Sequence, residues 1–374
     1  MTTDYCSPPW FPPPTDRNQT ATWLQQIETQ GLGPLAYRWA SRPGAAPPPP
    51  EVLARLSGLY TESMAAWLHR RSGLLALLDI LAEPPAIPVI VLKGMALAIS
   101  LYPDPALRPM NDIDLLAPAD RFEEAVARLL GRGYRFGAHE LAPGFVARFS
   151  HHAVLIEPET RPPLQIELHK TLPFLPAPAA AAVMTWFWQR QQQHILAGFP
   201  IAVLDPTAQL LHLAVHLSYQ HAGVQALLIW QHDIDLLWRR FGGDIDWESV
   251  VAIAQVARWE AGLSLALNTT ANHFGSPLPA PVLAWLSTPQ QQLSGYQTVR
   301  RLGAHATRSL GVGETLRFLP RWQWPAYLLA YLIPSAAFMQ DRYRLSHPWL
   351  LPVAYIYRWL DLTVDLLRTL LHRP

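Results

Sequence analysis

Three acidic side chains in two stretches of the sequence define the chemistry to look for. Within Val89 to Leu116, VIVLKGMALAISLYPDPALRPMNDIDLL, Asp112 and Asp114 stand two apart in a short apolar run. Side chains two apart on a strand share a face, so the carboxylates point together while Ile113 and Leu115 point into the core. Neighbouring carboxylates repel, and the cation suited to such hard oxygen ligands is Mg2+ or Mn2+. A third carboxylate, Glu167, lies in a later alternating run, with Gln165 and His169 on its face and Ile166 and Leu168 on the other. Upstream, Lys93-Gly94 turns a strand into a helix. Gly94 lets backbone N–H groups approach a phosphate closely, and Lys93 adds a point charge.

The elements that must position these groups are legible in the apolar spacing. A strand is expected over Val89 to Leu92, a helix to about Tyr102, and a second strand near 111–116 carrying both aspartates. A long helix from Glu51 to about Leu81 shows one apolar stripe, after an extended polyproline piece at Pro47 to Pro50. Pro118 and Asp120 open a helix that Gly131 and Gly133 close. Tyr134 to Phe136 and a hairpin of His152 to Glu157 with Pro163 to His169 add strands. Beyond Pro173 the sequence reads as helical throughout. Asp205 and Pro206 serve as N-cap and first helical residue, followed by helices over 225–241 and 247–267 and another near Pro281. The expected division is 1–50, a Pro-rich leader with short helices; 51–173, an α/β core; and 174–374, a helical domain with an aromatic and Arg-rich tail. The fold class is α+β: a small mixed sheet with flanking helices and a large helical C-terminal region.

His212 and His216 are one helical turn apart, and Asp233 follows Trp230 on the next helix. A zinc site there lacks a third ligand. An ion pair of Asp233 with either histidine, locking the helices together, is favoured over a role facing a substrate.

The 374 residues carry 15% charged side chains and a net charge of +1, which gives no general field for nucleic acid. The single cysteine, Cys6, excludes a disulfide framework, the N-terminus has no signal-peptide pattern, and no apolar run is long enough to span a membrane, so a cytoplasmic protein is expected. The last 55 residues interleave aromatics, arginines and prolines. A tail packed on its own domain is favoured there over a membrane-surface belt.

The wording LKGMAL followed by LYPDPALRPMNDIDLL resembles the nucleotidyltransferase superfamily, and within it the branch found in bacterial natural-product clusters, lasso-peptide clusters among them. Ile166-Glu167-Leu168-His169 fits the branch's acid, apolar, His pattern, with Glu where Asp is usual. His212, His216 and Asp233 match its helical positions. The resemblance implies that Asp112, Asp114 and Glu167 hold Mg2+ or Mn2+ and are catalytic. It assigns Lys93, Gly94 and Arg108 to the nucleotide, and His169, His212, His216 and Asp233 to a substrate-facing or structural role. The implied reaction moves a nucleoside monophosphate, or a related phosphoryl-linked group, from an NTP such as ATP to a hydroxyl or phosphate of a small molecule or peptide. An inactive nucleotide-binding or antitoxin-like partner protein is the alternative. One departure is Met95, where most of the superfamily has Ser to contact the phosphates.

Overall fold

The computed structural model describes residues 17–44, 48–220, 226–304 and 308–371. The expectations for Cys6 and the first part of the Pro-rich leader lie outside these residues, as does Pro47. Seven strands form one sheet: β1 Ile90–Leu92, β2 Ile113–Leu116, β3 Arg135–Phe136, β4 His152–Glu157, β5 Leu164–His169, β6 Gln191–Leu196 and β7 Phe199–Leu204, in the order β3-β4-β5-β2-β1-β7-β6. The helices before β6 are α1 Arg17–Thr29, α2 Gly33–Ala40, α3 Pro50–Ala82, α4 Lys93–Ser100, α5 Phe122–Gly131, α6 Phe145–Phe149 and α7 Ala177–Gln189. After β7 come α8 Pro206–Val215, α9 Leu228–Phe241, α10 Trp247–Ala257 and α11 Glu260–Phe274. The tail holds α12 Ala280–Leu286, α13 Tyr296–Ala304, α14 Arg308–Phe318, α15 Trp324–Leu332, α16 Ala336–Arg342 and α17 Leu351–Leu371. This is the expected α+β class.

Alternation along the strands separates two cores. Val91, Ile113, Leu115, Ile166 and Leu168 pack with Leu74, Leu77 and Leu81 of α3 and with Phe122 of α5. On the other face Ile90, Leu92 and Leu116 join Leu210, Leu211 and Leu213 of α8 and Ile234 and Leu237 of α9. Gly73 lets α3 press on β5, since a Cβ there would lie 2.3 Å from Leu164 Cδ1. Pro50 begins α3 as its first helical residue, where a missing N–H costs nothing, so the polyproline piece ends one residue earlier than expected. Asp205 caps α8 as expected, its side chain accepting from Ala208 N at 2.8 Å.

Two expectations fail. The chain after Pro173 is not helical throughout: β6 and β7 form a hairpin, and β7 lies parallel to β1. Gln191 to His194 is polar because β6 is the edge strand, which hid it from an apolar count. The single helix expected over 247–267 is two, α10 and α11, separated where Arg258 takes a left-handed conformation (φ 58°).

The tail packs on the rest of the chain in part, Ser335 bonding the 140–141 carbonyls and Phe318 meeting Phe174. Arg358 is buried and Tyr327 packs on Phe145 and Phe149, yet Trp322 and Trp349 are 70% and 72% exposed and Leu360 is 62% exposed. Among the described residues no helix is long and apolar enough to cross a membrane.

Candidate active site

Strand register brings the acidic groups together. Leu92 of β1 pairs with Asp114 of β2, and Asp114 pairs with Glu167 of the parallel strand β5. Partners in register across a sheet project to the same face, so Asp114 and Glu167 emerge side by side on the face that carries α8 and α9. Asp112 lies one residue before β2 rather than within it. A cleft of about 840 Å3 is lined by Lys93, Asp112, Asp114 and Glu167, with His216 and Trp230 on its helical wall.

Lys93 does not point away from the acids. Its Nζ is 2.7 Å from Asp114 Oδ1 and 3.2 Å from Glu167 Oε2. The left-handed backbone at the end of β1 falls on Lys93 itself (φ 46°), a conformation uncommon outside glycine. Gly94 sits close under the segment before β2: a Cβ there would lie 3.0 Å from Met110 Cβ, so a larger residue would push that segment back by a few tenths of an ångström.

Charge and burial set the protonation states. Burial pushes Asp112 up to about 6, and the charges of Asp114 and Glu167 add to the shift. Burial also opposes ionisation of Glu167, but the contact with His169 and the charge of Lys93 outweigh it and hold that carboxyl well below the usual range. Desolvation lowers Lys93, yet the two carboxylates more than compensate and it stays cationic. His169 Nε2 is 3.0 Å from Asp114 Oδ1 and 3.5 Å from Glu167 Oε2. One oxygen each from Asp114 and Glu167 and one nitrogen of His169 lie within 4.8 Å of one another, a donor set that can hold a divalent ion. The charges of Lys93 and Arg108 oppose the upward shift of Asp112 without cancelling it.

The remaining residues divide. Arg108 lines the same cleft but bonds Asp233 instead of the three acids, its Nε 2.9 Å from each oxygen of Asp233 and its Nη2 2.8 Å from Oδ2. Tyr102 donates to Asp233 Oδ1 at 2.7 Å. Asp233 therefore joins α9 to the segment before β2, and not to His212 or His216 as the sequence suggested. Burial lifts its carboxyl, while Arg108 and Tyr102 work against that. His212 is buried, its pKa pushed well down by burial and by the nearby charges of Lys93 and His169. His216 lines the cleft and meets Trp230 edge to face at 5.1 Å. It opens a π-helical turn, His216–Gln220, a rare form often found at functional sites. His151 and His152, on the cleft wall and in ring contact with His169, escaped the sequence reading. The only signal was that His152 falls opposite His169 once the hairpin register is drawn.

The sequence profile of a family described as uncharacterised nucleotidyltransferase matches residues 16–275. The chain belongs to this family. The match takes in the whole sheet, the cleft apart from Leu302, and the helices through α11, leaving α12 to α17 of this nucleotidyltransferase-family chain outside it. No curated protein matches. Solved structures with partial similarity include the antibiotic-resistance factor ANT(2'')-Ia, at 15% identity over 54% of this chain and 96% of that one, with a TM-score of 0.35. A nucleotidyltransferase-like antigenic protein from Paracoccidioides brasiliensis gives 14% identity over 55% and 92%, with a TM-score of 0.33.

Proposed function

We propose that this chain transfers a nucleotidyl group from an NTP, ATP among the candidates, to a hydroxyl or phosphate of a small-molecule or peptide natural product in the cytoplasm. The observation that carries the proposal is the convergence of Asp112, Asp114 and Glu167 on one cleft at the strand-to-helix turn of Lys93-Gly94. In this reading Asp112, Asp114 and Glu167 hold Mg2+ or Mn2+. The ion, when bound, neutralises charge on the triphosphate and on the departing pyrophosphate. The chain's own work is positional and acid–base. Glu167, ionised and at the rim of the buried set, accepts the proton of the acceptor hydroxyl. Lys93, released from the carboxylates, turns its ammonium to the phosphates, and the start of α4 beside Gly94 offers backbone N–H groups. Arg108 holds Asp233 and acts on the nucleotide only by fixing the wall of the cleft. His169 steadies Asp114, while His212 backs the wall and His216 faces the acceptor side.

A tailoring role in natural-product clusters, including lasso-peptide clusters, follows from the motif resemblance. The exposed tryptophans and arginines of the tail extend the proposal to weak contact with a lipid surface, which co-sedimentation of the full chain with anionic vesicles tests.

Isothermal titration of Mg2+ with non-hydrolysable ATP and GTP analogues tests the site, using wild type and Asp112→Asn/Asp114→Asn. Metal-dependent nucleotide binding lost in the double variant is expected. Equal binding in both, or none in either, removes the assignment. The Lys93 bridge between Asp114 and Glu167 favours one second reading, an inactive nucleotide-binding or antitoxin-like partner protein, in which Lys93 permanently replaces the ion. Nucleotide binding without pyrophosphate release under any metal would select it.

A further inference from the structure

Beside the carboxylates stands a second set of donors with a different chemistry. Three buried imidazole nitrogens, His151 Nε2, His152 Nδ1 and His169 Nδ1, have no hydrogen-bond partner among the described residues. One ring nitrogen from each of these three residues lies within 4.8 Å of the others. The rings are close, with centroids 4.2 Å apart for His151 and His152 and 5.1 Å for His152 and His169. A buried polar atom without a partner is costly, and three at one place is a cost that a shared ligand removes.

The tautomer of His169 follows from its other nitrogen. Asp114 Oδ1, 3.0 Å from Nε2, accepts a hydrogen from it, which leaves Nδ1 as the ring nitrogen through which His169 can meet an ion. A carboxylate bonded to the far nitrogen of a histidine is the arrangement that orients metal-ligating imidazoles and raises their basicity. His152 is fixed opposite His169 by the β4–β5 register, and His151 is tied down where Lys170 N donates to its carbonyl at 2.9 Å.

We propose that His151, His152 and His169 form a three-imidazole site for a divalent transition ion of the Zn2+ class. Imidazole suits zinc and its neighbours and not Mg2+, so this site takes a different ion from the oxygen set it adjoins. Zinc–nitrogen bonds of about 2.0–2.1 Å require the rings to draw inward, which the soft terminal torsion of histidine permits. Burial leaves His151 and His152 neutral, the form that coordinates. Three protein ligands leave a fourth position for water or a substrate oxygen, and His151 and His152 line the cleft. Asp114 couples the two sites through His169. The site stands whether or not nucleotidyl transfer is the activity.

The test is metal binding by the full chain. Protein stripped with a chelator is titrated with Zn2+ by calorimetry, loaded with Co2+ for its visible spectrum, and examined as the Zn2+ form by X-ray absorption. One ion per chain with three imidazole scatterers and a four-coordinate Co2+ spectrum is expected. His151→Asn and His152→Asn, each checked for folding by circular dichroism, lower Zn2+ affinity at least about tenfold. Asp112→Asn leaves Zn2+ binding in place while weakening Mg2+ binding, which separates failure of this site from failure of the carboxylate site. No Zn2+ bound by wild type, or an absorption spectrum dominated by oxygen ligands, overturns the proposal even if the histidine variants do not fold.

Discussion

The ammonium of Lys93 lies 2.7 Å from Asp114 Oδ1, at the point where those carboxylates would meet a divalent ion. Its second contact, 3.2 Å to Glu167, closes the bridge. Because β1 ends opposite Asp114 and Lys93 then turns left-handed, the side chain is delivered to the acids by the same turn that starts α4. In the proposed mechanism lysine and metal would compete for one place, and the triphosphate would receive the displaced ammonium.

Lys93→Met therefore has opposite effects on two measurements. Mg2+ affinity without nucleotide, read by calorimetry, rises at least about tenfold as the competing charge is removed. Turnover with NTP, read by pyrophosphate release, falls by about 10²- to 10³-fold as one charge contact to the phosphates is lost. Unchanged metal affinity would show that the ion sits elsewhere.

Asp112 gives a pH signature. Its value rises from an ordinary 3.8 to about 6 on folding. The folded chain keeps a proton that the unfolded chain has released, so the cost of ionising it is absent below about 4 and fully present above about 6. His152 acts in the opposite sense: burial and His169 pull it from 6.5 to about 4, so its contribution to stability is lost as pH falls through that window. Comparing wild type with Asp112→Asn in chelator cancels the histidine contribution. The variant is expected to be the more stable protein above pH 6, with the gap closing towards pH 4, in calorimetric melts. Added Mg2+ should narrow the gap at neutral pH. A gap that does not vary with pH would sink the assignment.

How far these groups were legible depends on range. Asp112 with Asp114, and Glu167 with His169, were readable as sharing faces, because a strand's period of two fixes which side chains travel together. That Asp114 and Glu167 are register partners was not, since nothing local sets the pairing of strands so far apart in the chain. The α3 stripe, the β4–β5 hairpin and the Asp205 cap rest on local rules and were visible. The edge strand β6 was not, since its exposed face removed the apolar signal. Arg108 and Asp233, 125 positions apart, meet only because α9 packs against the segment before β2.

That pair makes a prediction about stability. Arg108 and Asp233 side chains are 7% and 0% exposed, and each is the other's main charge partner. Asp233→Ala leaves a buried guanidinium uncompensated and should cost about 3–5 kcal/mol in urea denaturation. Replacing both by leucine should recover much of that loss, because two buried charges are then removed together. A single variant within the error of wild type would mean that Arg108 finds its compensation in solvent or in Asp112 across the cleft it lines.

Met95 tests whether the departure from the superfamily pattern matters for chemistry. A serine at this position would contact phosphate only if its side chain faced the cleft. Met95 is 1% exposed and packs with Ile113, Leu115 and Ile166, on the face of the sheet opposite to Asp114 and Glu167. Met95→Ser thus removes core volume and buries a hydroxyl among apolar side chains, a loss of about 2–5 kcal/mol by denaturation. It should bring no gain in NTP affinity or turnover at a temperature where the variant is still folded. Increased turnover would instead require α4 to rotate so that position 95 faces the phosphates, and Lys93 would then have to leave its bridge between the two carboxylates.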